Sequence, residues 1–477
     1  MSNVVRRIMR TKQLTPDNHD QGHGLSGLKR CLTAFDLTFL GVGAIIGTGI
    51  FVLTGIAAAT QSGPAVMLSF IVAGIACAFA ALSYAELAAS VGGCGSAYGY
   101  SYAAFGELFA WIIGWDLLLE YGVAVAAVAN GWSGYFGKVL GLMGLSDPEL
   151  WTKAPQLGGY MNLPAMLIVL LLMGLLIIGA KESARTNTIA VCIKLATIAV
   201  FIAVAVFNVH PENWSPFMPF GWFSHDAAGK PVGVLAGASL VFFAYVGFDA
   251  VSTAAEEAKN PKRDLPIGLI GSLVFCTVIY IIVSGLLTGV VPYTSLNVSY
   301  PVAFALEQVG VQWASALVAT GAFMGLTTVM LVLYYGLTRI LFAMGRDGLL
   351  PAYLGQANPK TKTPVRAIVI SGLLIMVIAG FIPLGELAEL VNIGTLAAFV
   401  MVCVGVIVLR RTRPELPRPF RMPWHPVLPI LGALSCGALM AFLPVMTWVR
   451  FAVWLMIGLA IYFAYSMRNS KLAQSGI

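Results

Sequence analysis

The chain has 477 residues, of which 58% are hydrophobic and only 10% charged, with a formal net charge of +7. Soluble domains carry about 25% charged residues, so a chain of soluble domains is excluded. The basic residues are split among short polar segments, which leaves no continuous face for a nucleic acid.

Residues 1–34 are polar and basic, with no cleavable signal peptide visible, and are expected to form a cytoplasmic tail. Beyond them the apolar residues fall in runs of about 20, the length that crosses a ~30 Å hydrocarbon core. Twelve spans are predicted, at 36–59, 65–89, 98–136, 162–180, 187–208, 233–254, 267–290, 311–345, 364–383, 387–409, 427–445 and 448–466. In lipid, runs of this kind satisfy their backbone only as helices, so the fold class is an all-α integral membrane protein. The membrane domain is placed at 35–466, and a short cytoplasmic tail at 467–477.

Orientation follows from the basic residues. With the N-terminus inside, 23 of the 28 Lys and Arg fall on the cytoplasmic side and four outside, at Lys138, Lys153, Lys230 and Arg450. That asymmetry obeys the positive-inside rule and predicts both termini in the cytoplasm, in the cell membrane. Spans one to five (36–208) and six to ten (233–410) have matching lengths. Five is odd, so the second set starts on the opposite face. An inverted repeat is expected, with spans eleven and twelve as additions. Such repeats place substrate at the midplane, on interrupted helices.

Span one carries the run Gly41-Val42-Gly43-Ala44-Ile45-Ile46-Gly47-Thr48-Gly49-Ile50-Phe51. Each interior glycine costs a helix about 1 kcal/mol relative to alanine, and four in nine residues argue for an unwound segment. The half-helix after such a break offers free N–H groups and its positive dipole end to a carboxylate. Carbonyls freed before the break suit an ammonium. Gly43 and Gly47 also form a GxxxG pair, so close helix packing is the competing reading. Span six repeats the theme at Phe242-Phe243-Ala244-Tyr245-Val246-Gly247-Phe248-Asp249. Its aromatic cluster could wall a small ligand, or simply pack as core.

Glu86, Asp116, Glu120, Lys194 and Asp249 are ionisable residues inside spans. Such groups are costly in lipid and suggest function by default, with a structural role an equal alternative for Asp116 and Asp249. Asp116 and Glu120, four apart, share one helix face. Glu86 is near an inner membrane end and reads as a capping or gating group. Lys194 is the only basic residue well inside a span. Burial favours its neutral form, so it is the candidate for proton coupling. A structural pairing with an acid such as Glu120 is the alternative. The segments Glu256-Glu257-Ala258-Lys259-Asn260-Pro261 and Arg346-Asp347-Gly348-Leu349-Leu350-Pro351 read as inner gate and connector elements, with ordinary surface loops as the equal alternative. The cysteines show no CxxC or Cys/His spacing, so no metal site, disulfide framework or cofactor is expected. The lack of a clustered His set, an HExxH or a Ser/His/Asp set argues against an enzyme. A channel would need rings of polar pore-lining groups, which paired helix breaks do not supply.

Taken together, Gly-Ala-Ile-Ile-Gly-Thr-Gly-Ile-Phe (43–51), Phe-Asp-Ala-Val-Ser-Thr-Ala-Ala-Glu-Glu (248–257) with Lys-Asn-Pro after it, and Arg-Asp-Gly-Leu-Leu-Pro (346–351) resemble the cationic amino acid transporter family. That family belongs to the amino acid–polyamine–organocation superfamily. The resemblance covers about residues 30–465, and the chain looks like the bacterial twelve-span type. It implies the five-plus-five inverted-repeat fold first seen in the bacterial leucine transporter. It also implies an amino-acid carboxylate on the backbone around Gly47, Thr48 and Gly49. The amine would meet carbonyls near Ile45 and those of Phe243, Ala244 and Val246. Lys194 matches the lysine that stands where sodium-coupled relatives bind a cation. The resemblance thus implies proton-coupled symport of small neutral or cationic amino acids; amino-acid/polyamine exchange and sodium coupling are the alternatives. Met330, Leu333 and Tyr334 of span eight are the expected side-chain pocket, with Glu120 as a negative charge for a cationic substrate. The residues neither indicate nor exclude a small single-span membrane partner.

Overall fold

The computed structural model describes residues 32–91, 96–145, 149–179, 184–253 and 258–471. The expected tail up to residue 31, Glu256 and Glu257 of the first connector, and residues 472–477 lie outside the described residues. Seven helical stretches are long and apolar enough to cross a membrane, and five apolar helices are shorter. Two of the short ones, α1 (Ala34–Ile45) and α8 (Val234–Val241), are half-spans that stop at a break.

Span one is α1, a turn at Ile46 and Gly47, and a second half built from a π-helical stretch and α2 (Thr54–Ala57). Thr33 caps α1: its Oγ1 accepts from Asp36 N, and Asp36 Oδ2 accepts from Thr33 N at 2.9 Å. Span two is α3 (Val66–Val91). Span three departs from expectation. A separate helix, α4 (Ser96–Ala104), ends before Gly106, whose φ of +99° disfavours any side chain. The membrane helix proper is α5 (Glu107–Leu142). Spans four and five are α6 (Leu163–Ile178) and α7 (Ala184–Ala205).

Span six is α8, a 3-10 turn at Phe242–Tyr245, a break at Val246–Asp249, and α9 (Ala250–Thr253). Span seven is α10 (Pro261–Val290). After it comes a short helix, α11 (Pro301–Gln308), and then α12 (Gln312–Arg346) as span eight. Spans nine to eleven are α13 (Val365–Phe381), α14 (Leu384–Thr412) and α15 (Val427–Ala441). Span twelve is α16 (Val445–Ile461), which continues through a π turn into α17 (Met467–Asn469). The only strands described are β1 (Ser224–His225) and β2 (Pro231–Val232), an antiparallel pair before span six.

Helix packing shows the repeat. The first span rests on the seventh (α1 on α10), and the sixth on the second (α8 on α3). The fifth packs on the eighth (α7 on α12), and the tenth on the third (α14 on α5). Exchanging spans one to five for six to ten turns each contact into its partner. The contacts of spans two with seven (α3 with α10), three with eight and four with nine map onto themselves. This is the five-plus-five inverted repeat, with α15 and α16 outside it.

The Arg346–Pro351 connector is a knot rather than a free loop. Tyr98 donates to Asp347 Oδ2 at 2.9 Å, Lys471 N to Asp347 O at 3.1 Å, and Ser466 Oγ to Leu349 O at 2.6 Å. The tail expected from 467 is therefore helical to Asn469, and residues to Lys471 pack on the Arg346–Pro351 connector. Glu86, on α3, accepts both Arg410 Nε and Nη2, at 2.7 and 2.6 Å, and Met422 N at 2.7 Å. It clamps the loop after span ten, a stapling role in place of a cap.

Candidate functional site

The two breaks lie back to back at the centre. Gly49 packs on Ala244 so closely that a Cβ there would come within 2.9 Å of Ala244 N and nearer still to its Cα. Gly247 has a φ of +102°, and a Cβ on it would lie 3.2 Å from Ala44 O. Only glycine fits both demands. Gly41 of span one is also a packing glycine: a Cβ on it would come 2.7 Å from that of Ser272. Gly47 faces Val329 at an ordinary 3.5 Å.

The carbonyls freed at the breaks have specific partners. The Tyr280 hydroxyl, on α10, lies 2.9 Å from Ile45 O and 2.8 Å from Ala244 O. Lys194 Nζ, on α7, donates to Gly43 O at 2.7 Å. Its stem lies along Gly325 of span eight, where a Cβ would come 2.8 Å from Lys194 Cγ. Lys194 therefore stands between the first break and span eight and is buried there. Asn392, on α14, donates to Ser239 O at 2.7 Å and Leu240 O at 3.0 Å, and so caps the last turn of α8. Neither Tyr280 nor Asn392 was foreseen. A buried tyrosine or asparagine in an apolar run signals a polar partner, but the run does not say which.

Between the breaks lies a small central cavity of about 10 Å3, room for roughly one water. Ile45, Gly47, Thr48 and Gly49 line it from span one, and Phe243 and Val246 from span six. Ala244 sits behind, against Gly49. Thr48 Oγ1 is buried and has no hydrogen-bond partner, although it lines the cavity. The remaining wall is apolar: Ala124 and Val128 of span three, and Val329 and Leu333 of span eight. Each pair is four apart and so forms one stripe.

Three expected pocket residues are placed elsewhere. Met330 is buried but one residue past Val329, and so turned about 100° away. Tyr334 donates to Ile368 O at 2.6 Å, toward span nine. Glu120 lies one turn from Ala124 and faces Asp116, Asp249 and Thr395. It supplies no charge to the cavity wall.

On the side opposite the N-terminus, α11 covers the site. Pro301 abuts Gly55, Tyr135 donates to Phe51 O at 2.8 Å, and Lys138 pairs with Glu307 at 2.5 Å. Among the described residues no group of His, Cys, Asp and Glu is placed to hold a metal ion.

Paired breaks on symmetry-related helices, closed over from one face, are the architecture of a secondary transporter. Residues 32–465 match the amino acid permease family, and the chain belongs to it. It is thus a multi-pass membrane transporter of the amino acid–polyamine–organocation superfamily, not an enzyme. A branched-chain amino acid permease, BcaP, of Bacillus subtilis (strain 168) is 52% identical over 456 residues, covering 94% of this chain and 96% of that one. A methylthioribose transporter of the same organism is 50% identical over 447 residues, covering 93% and 95%. The vacuolar cationic amino acid transporter 4 of Arabidopsis thaliana is 37% identical over 419 residues, covering 87% and 68%.

Proposed function

We propose that the protein is a proton-coupled symporter of neutral aliphatic amino acids, working by alternating access in the cell membrane with both termini cytoplasmic. The observation that carries the substrate class is the wall formed by Ala124, Val128, Phe243, Val246, Val329 and Leu333, which has no charged side chain. A cationic side chain would leave its charge buried and unpaired there, which is strongly unfavourable. The backbone of Gly47, Thr48 and Gly49 takes the carboxylate, with the Thr48 hydroxyl beside it. The carbonyls of Ile45, Phe243, Ala244 and Val246 take the amine. The branched-chain permease BcaP, similar over nearly the whole chain, supports an aliphatic substrate. The site has little spare room in this conformation, so binding requires α1, α8 and α12 to separate. Lys194, bonded to Gly43 O and seated on Gly325, is the coupling residue: charged, it holds the first break; neutral, it releases it.

The test is uptake into proteoliposomes with proton and sodium gradients imposed separately. Leucine, isoleucine and valine should compete with one another, while lysine and arginine should compete poorly. Removing the carboxylate or esterifying it leaves buried N–H groups unpaired, a cost of about 1–3 kcal/mol. Methylthioribose belongs in the panel because of the methylthioribose transporter's similarity. If it competes and amino acids do not, the substrate assignment fails.

A further inference from the structure

Span three carries Trp132, Phe136 and Leu140 at four-residue spacing, so they form one stripe toward its end. Across from it, α6 presents Leu163 and Leu167, again four apart. The start of α6 is pinned to α5 by Asn162. Its Nδ2 donates to Asn130 Oδ1 at 3.0 Å, and its Oδ1 accepts from Ser133 Oγ at 2.6 Å. The pin holds the two helices at a set distance without closing the gap beyond it. Trp151, in the connecting loop, folds over the end of this gap.

The result is a cavity of about 240 Å3 whose surface is apolar throughout. An apolar cavity of about 150 Å3 stays dry and holds a benzene ring, so this one has room for more. It opens sideways. Trp151, Leu163 and Leu167 are 43%, 38% and 54% exposed, and α6 continues with exposed Leu170 and Leu171. In a membrane protein that perimeter meets hydrocarbon, and the mouth is at the face opposite the termini. A void left empty would cost its lining those dispersion contacts.

We propose that this cavity is a binding site for the acyl chain of a phospholipid in the leaflet opposite the termini. The occupant touches the transport machinery through one side chain. Trp132 forms the inner wall, its Nε1 donates to Thr327 Oγ1 at 2.9 Å, and its ring lies 4.7 Å from that of Phe323. Both partners are on α12, the helix whose Val329 and Leu333 line the central cavity. A lipid chain in place braces Trp132 against that helix, so the site links the bilayer to the wall of the central cavity.

Photolabelling tests this. The purified chain is placed in nanodiscs of phosphatidylglycerol with a diazirine on the acyl chain, photolysed and mapped by peptide mass spectrometry. Adducts should concentrate on Trp132, Trp151 and Leu163–Leu167, several-fold above the exposed face of α13 at Leu373, Leu374 and Val377, which meets ordinary bilayer. Leu163→Trp fills the space and should reduce those adducts several-fold while leaving the α13 adducts unchanged. Equal labelling of the two surfaces in the unmodified chain overturns the proposal, and this comparison needs no variant. Unchanged labelling in folded Leu163→Trp overturns it too. Cross-links between two copies of the chain in place of lipid adducts would assign the face to self-association and overturn it as well.

Discussion

Lys194→Met is the most discriminating substitution. It keeps the length of the side chain and removes the charge. The bond from Nζ to Gly43 O, 2.7 Å long and buried, is lost with it. A hydrogen bond to a charged group contributes about 1.5–3 kcal/mol, so the balance between a held and a released first break should move by roughly ten- to hundredfold. An imposed difference of two pH units supplies about 2.7 kcal/mol, at 1.36 kcal/mol per unit, enough for about hundredfold accumulation at one proton per substrate. The bond is therefore of the right size to transmit the gradient. In proteoliposomes the unmodified protein should accumulate leucine under an inward proton gradient. The Met variant should not accumulate it, yet should still exchange internal for external leucine at equal pH. Accumulation by the variant against its gradient would show that Lys194 is not the coupling site. A requirement for sodium in the unmodified protein would refute proton coupling altogether.

Gly47→Leu should abolish substrate binding with little change in melting temperature, because its Cβ meets Val329 at 3.5 Å and the rest of the chain enters the cavity; calorimetry and a thermal melt check both. Gly49→Leu should behave differently: the side chain is driven into Ala244, the two breaks part, and the yield of monodisperse protein falls. Tyr280→Phe removes the hydroxyl shared by Ile45 O and Ala244 O, which should cost about 1–3 kcal/mol and lower the melting temperature in detergent. Glu86→Gln breaks a buried pair with Arg410 and should cost about 3–5 kcal/mol, again read as a melt, with the KM for substrate unchanged because the clamp is remote from the site.

Much of the architecture could be read from composition. Run length marks the spans because lipid imposes both the length and the helix. The cluster of glycines from Gly41 to Gly49 marks the first break because no other residue tolerates so much lost helix propensity. The second break was visible mainly through its correspondence with the first. Other features were hidden for physical reasons. Glycine at 106 divides span three through a backbone angle, which hydropathy does not register. Ala124 and Val128 line the site, yet alanine and valine look the same facing a ligand or another helix. In span eight, of the expected Met330, Leu333 and Tyr334 only Leu333 reaches the cavity, and its companion on the stripe is Val329. Helix phase relative to a neighbour is set by packing, and an all-apolar helix has almost no moment to reveal it. Lys194 stood out because one buried cation among apolar residues needs a partner. That the carbonyl of Gly43 is a partner required the fold.

The tyrosine between the breaks has an arithmetic of its own. A phenol has one proton to donate, and Tyr280 sits within reach of two acceptors, one on each repeat. At any instant, one of those carbonyls goes without. The resting site thus carries a built-in deficit of one proton, shared between the two halves of the molecule. A substrate ammonium brings three. In the proposed binding mode its arrival would satisfy both repeats at once, which a tyrosine alone cannot do. A ligand lacking the ammonium leaves the two halves still competing for a single hydrogen.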